Sequence, residues 1–135
     1  KGLIDMQHRI LNDLLEAFSP EGAGSVPLIA SASGTKIPEE RFIQIVIPTW
    51  GSADNILILP EPVPGKIVIV AGAATGGELR SSAPSTVAIN GGTGATAESA
   101  VAANQMVVAI CESSSSWKAF TIASNGAIAG LEAAA

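Results

Sequence analysis

The sequence predicts a mainly β protein: an antiparallel β-sandwich or jelly-roll-like domain preceded by one N-terminal amphipathic helix. Three observations lead there. Apolar residues recur at three- and four-residue steps up to Phe18, and from Val26 onward they alternate. Turn-forming Gly, Pro, Asn and Ser residues then punctuate the chain at intervals of about ten residues. Aromatic side chains are few, three Phe and two Trp with no Tyr, so the core must be assembled from Val, Ile, Leu and Ala.

Taken in order, residues 1–20 read as a helical arm and residues 21–135 as the β domain. In the arm, Leu3, Ile4, Ile10, Leu11, Leu14, Leu15 and Phe18 fall on helical steps, with Asp5, Arg9, Asn12, Asp13 and Glu16 between them. Ser19-Pro20 and the Gly22/Gly24 stretch close the helix and form a hinge-like connection. Expected strands are Val26–Ala32, Phe42–Ile47, Asn55–Leu59, Lys66–Ala71, Ser85–Asn90, Met106–Glu112 and Trp117–Ala123, with a short one near Ala127–Ala129. Asn125-Gly126 is the strongest hairpin signal. The Gly/Ala/Ser/Thr-rich stretches Ala71–Gly77, Gly91–Ala103 and Ser113–Ser116 read as loops, and no internal repeat at a fixed period stands out. Alternation within the strands assigns much of the core to Ile45, Ile47, Ile67, Ile69, Val87, Ile89, Val108, Ile110, Phe120 and Ile122.

Charge is the informative part of the composition. The 135 residues include only 7 Lys/Arg and 12 Asp/Glu, where an average soluble chain of this length carries about 34 charged residues. Mean hydropathy is +0.42, yet no run of 18 apolar residues is available to cross a membrane. An apolar, weakly charged chain without a membrane span implies a surface shared with neighbours. The net charge of −5 without a Lys/Arg cluster argues against nucleic acid as a partner. Cys111 is the single cysteine, which excludes an intrachain disulfide framework. The start shows no basic-then-apolar signal segment.

Candidate chemistry is sparse. Gly92-Thr93-Gly94-Ala95-Thr96-Ala97 follows the apolar run Val87–Asn90 and fits G-x-G-x-x-A, with Glu112 further along where a ribose-binding acid would fall. That chemistry needs a helix N-terminus on a parallel sheet, and Ala97–Asn104 offers two turns at most. The motif therefore reads as a glycine-rich loop. His8 is the only histidine, so a Ser-His-Asp or Cys-His mechanism would have to pass through an arm residue. Cys111 lies in an apolar run as a small buried hydrophobe. One His and one Cys do not make a zinc site. Glu39, Glu40, Asp54, Glu61, Glu78, Glu98 and Glu112 lack the aromatic-lined cleft of a glycosidase and read as solubilising acids. The sequence thus predicts no enzyme, no catalytic, cofactor or metal residue, and Trp50 and Trp117 as caps on the core rather than interface anchors.

Gly65-Lys-Ile-Val-Ile-Val-Ala-Gly72, Gly77-Glu-Leu-Arg-Ser-Ser82, Ala88-Ile-Asn-Gly-Gly-Thr-Gly94 and Ala97-Glu-Ser-Ala100, followed by Val107–Cys111 and Trp117, resemble the small decoration or cement proteins of tailed-phage capsids. The resemblance covers about half the chain and lies in texture: short aliphatic strands joined by Gly/Ala/Ser/Thr loops. It implies a sandwich or jelly-roll body, a dimer or trimer, a place on the capsid exterior and the major capsid protein as partner. No site residue carries over individually. In that setting the helix would be a docking arm, and its stripe Leu3, Ile10, Leu11, Leu14, Leu15 and Phe18 is the candidate interface. The alternative is a receptor- or carbohydrate-binding head or fibre module, which should present Trp50 or Trp117 in an open cleft.

Overall fold

The computed structural model describes residues 2–17 and 25–135, with side chains in the helix described for residues 5–13. The chain is mainly β with one helix, α1 (Gly2–Ala17). Eleven strands follow among the described residues. They are β1 (Ser25–Ile29), β2 (Thr35–Lys36), β3 (Ile43–Thr49), β4 (Ile56–Ile58), β5 (Ile67–Val70) and β6 (Gly77–Arg80). The remainder are β7 (Ala88–Ile89), β8 (Ser99–Val101), β9 (Met106–Ser113), β10 (Ser116–Ile122) and β11 (Ile128–Gly130). The expected hinge lies outside the described residues except for Ser25, and so does Phe18.

The first six strands alternate between two sheets. One sheet is ordered β1-β3-β5-β9-β10-β11, with β7 also pairing to β10, and the other β2-β4-β6-β8. Because each connection passes through the other sheet and back, β1, β3 and β5 run parallel to one another, as do β2, β4 and β6. This corrects the expectation of an antiparallel body: both sheets are mixed. A parallel pair needs a long crossover between its strands, commonly a helix. Here a strand of the other sheet supplies it.

The winding has a period that the side chains do not advertise. Ser25 pairs with Ile45 and Ile45 with Ile69, offsets of 20 and 24 residues. Thr35 pairs with Leu57 and Leu57 with Leu79, both offsets of 22. Antiparallel pairing begins afterwards, with β8 on β6 and β9 on β5. Two hairpins finish the larger sheet, β9–β10 and β10–β11. In the second, Gly126 takes φ +85°, the left-handed conformation that the Asn-Gly pair announced.

Buried side chains of both sheets form one core. Val46, Val68, Val70, Val107, Ala109, Cys111, Trp117 and Ala119 come from the larger sheet, and Leu57, Leu79 and Val101 from the smaller. Trp50, after β3, lies over Gly77, where an added Cβ would stand 2.0 Å from the indole ring. The core expectation holds for Val87 and Ile89 and fails in register elsewhere. Ile45, Ile67, Ile69, Val108, Phe120 and Ile122 are only half-buried, while Ile47 and Ile110 are exposed. Their strand neighbours of opposite parity point inward instead. Both faces of these strands are apolar, so alternation could not distinguish inside from outside.

Candidate interaction surface

The displaced isoleucines form one surface. On the outward face of the larger sheet, the register aligns Ile45, Ile69, Val108 and Phe120 across β3, β5, β9 and β10. A second row runs Ile43, Ile67, Ile110 and Lys118. Ile122 sits opposite Met106 and Ile128 on a third row, with Ile47 on the same side at the end of β3. Lys118 and Glu112 are the charges this face carries on β9 and β10, and they pair with each other at 3.7 Å. Branched aliphatic side chains favour a pleated surface, but nothing among the described residues covers Ile47, Ile110 or Ile128, which are 45, 39 and 71% exposed.

The α1 stripe is a second apolar feature, at the start of β3. Arg9 donates to the carbonyl oxygens of Glu39 and Glu40, and the Asp13 carboxylate accepts the Phe42 N–H at 2.6 Å. Between helix and body lies a cavity of about 390 Å³, lined by Met6, Phe42, Val63 and Lys66 among others. Lys66 is buried and paired with Glu39 at 3.2 Å, and it also donates to the Glu61 carbonyl. Of the candidate interface, Ile10 is half-buried and Leu11 is 54% exposed. Phe18 and the side chains of Leu3, Leu14 and Leu15 lie outside the described residues.

The other chemical candidates separate. His8 is exposed on α1, far in sequence and element from buried Cys111, whose thiol burial pushes above its ordinary value. Among the described residues no group of three His, Cys, Asp or Glu side chains is placed to hold a metal ion. No helix among them is long and apolar enough to cross a membrane. Just after the G-x-G-x-x-A stretch, Ser99–Val101 is strand β8, where nucleotide binding would need a helix. Gly92 is required by the chain itself, since a Cβ there would meet the Ala134 carbonyl oxygen at 2.0 Å. Trp50 and Trp117 are both buried, so neither supplies a sugar-stacking platform.

One acidic group is electrostatically unusual. Glu78 on β6 shares a hydrogen bond with Glu98, and Arg80 pairs with Glu98 on the outward side of the smaller sheet. The hydrogen bond to Glu98, then burial, then the charges of Glu98 and Asp54 push Glu78 up to about 7 against the pull of Arg80. Glu98 is held below its ordinary value, by its hydrogen bond to Glu78 first and by Arg80 as well, with burial opposing. From sequence both read as solubilising acids, because their apposition depends on the pairing of β6, where no strand is expected, with β8, which lies in a stretch that reads as loop. No family model, curated protein or solved structure matches this chain.

Proposed function

We propose that this chain is a virion structural protein: a capsid decoration, or cement, protein that binds the exterior of the major capsid shell and stabilises it. In this reading the two sheets pack as a sandwich-like body, and the protein works as an oligomer. The observation that carries the reading is the aliphatic outer face of the larger sheet on a chain with 19 charged residues in 135. Apolar surface and sparse charge of this kind mark a chain that works in contact with other chains, its own copies included. On a particle, symmetry repeats such contacts and avidity supplies the affinity.

The arm is the segment we assign to the major capsid protein, with exposed Leu11 and Met6 as contacts. Burial of both tryptophans supports this reading over the receptor- or glycan-binding head. The experiment uses purified particles. Mass spectrometry should find the chain at a fixed ratio to the major capsid protein, and particles stripped of it should lose resistance to heat and regain it on add-back. Absence from particles, or failure of the added protein to bind them, would overturn the proposal.

A further inference from the structure

The outer face of the larger sheet supports a specific occupant. We infer that it is the two-fold interface of a homodimer, in which the outward rows of one copy pack on the same rows of a second copy. This deepens the proposed function by naming what covers the face, and it stands on the sheet geometry whether or not the chain is found on particles.

Three properties select a second copy. The first is charge: the chain carries −5 overall, but this face holds one Lys and one Glu, already paired. Two such faces meet without net repulsion, whereas a strongly charged partner would find nothing to complement. The second is shape. A twisted sheet face is matched by another of the same hand, packed about 10 Å away with strands turned by roughly 30°. A two-fold axis requires that kind of self-complementary patch. The third is area. Six strands about 4.8 Å apart, each presenting about 20 Å of length, span roughly 600 Å² in plan. Corrugation raises the accessible area towards the ~800 Å² that each partner of a stable complex buries. The helix stripe alone, one face of 16 residues, falls well short of that.

Sedimentation equilibrium of the purified full chain, without particles, tests the inference. The expected mass is twice 13.5 kDa. Ile110→Lys and Ile47→Lys, both at exposed positions, should each weaken the dimer about 100-fold or more by opposing charge to apolar surface across the axis. Leu11→Lys should leave the dimer intact. Circular dichroism and the thermal midpoint of each variant, taken where it is monomeric, check that the fold survives. A wild-type monomer or trimer would overturn the inference independently of any variant. So would a dimer broken by Leu11→Lys and indifferent to both sheet substitutions, which would place the interface on α1. Particle binding reads the two proposals apart. A monomeric Ile110→Lys chain that still binds particles leaves the decoration role standing. A wild-type dimer absent from particles removes that role and leaves the interface.

Discussion

Glu78 and Glu98 share a hydrogen bond, the largest influence on both, and the guanidinium of Arg80 adds to it by pairing with Glu98. The proton therefore stays on Glu78. Between the ordinary value of 4.5 and about 7, the folded chain therefore holds a proton on Glu78 that the unfolded chain has released. Stability from this group is full below the lower value and is lost as pH rises through the upper one. Glu98 has the opposite sign and its contribution is lost as pH falls below its ordinary range. Thermal midpoints should accordingly decline between about pH 4.5 and pH 7, and Glu78→Gln should flatten that decline. An unchanged slope in the variant would mean that Glu78 does not titrate in this window. A second residue-scale test concerns Gly77. A Cβ there would stand 2.0 Å from Trp50, which is enclosed in the core. Gly77→Ala should cost about 1–3 kcal/mol in urea denaturation, the scale of an overpacked core.

Elements were legible where their signals are local. The helical spacing of the arm, the strands around Ile43, Ile67, Met106 and Trp117, and the Asn125-Gly126 turn all appear in the structure. Strands β2, β6 and β8 were missed, being only two to four residues long and lying in Gly/Ser/Ala-rich sequence. Their extended state comes from pairing across the winding rather than from propensity, which in strands is weak against context. The facing of the long strands does not follow from alternation alone, because both of their faces are apolar. Two residues held the correct answer: Lys118 shares parity with Phe120 and Ile122, and Glu112 with Val108 and Ile110. An ionised side chain marks the solvent face more strongly than an isoleucine marks the core, although Lys66 on β5's inward parity shows how pairing relaxes that rule. The parity has a measurable consequence. Leu79→Ala, fully buried, should lose about 2–5 kcal/mol, whereas Ile47→Ala should lose less than about 1 kcal/mol. Comparable losses at the two sites in urea denaturation, at concentrations where the chain is monomeric, would mean that the sheet faces the other way.

At the scale of the whole molecule, the question is whether α1 belongs to the body or only rests on it. The residues of the shared core all come from positions beyond the arm, among those described. Polar contacts of α1 with the body run from Arg9 to two backbone carbonyls and from the Phe42 N–H to Asp13. Removing them exposes backbone groups at the start of β3, which water can satisfy. A helix of this length is marginal in isolation, so its order depends on whatever it packs against. Deleting residues 1–18 should therefore leave a folded β body with a thermal midpoint lowered by only a few degrees, because these few polar contacts, exposed at Arg9 and part-buried at Asp13, contribute on the order of 1 kcal/mol each. The truncated chain should remain a dimer, since the sheet face is untouched, and should fail to bind particles. Circular dichroism, sedimentation and particle co-sedimentation read these three outcomes separately. If the truncated chain unfolds, the apolar stripe of α1 is part of the core and the arm has no free face to offer a capsid. If it folds but sediments as a monomer, the helix carries self-association, and the isoleucine face must meet something other than its own copy.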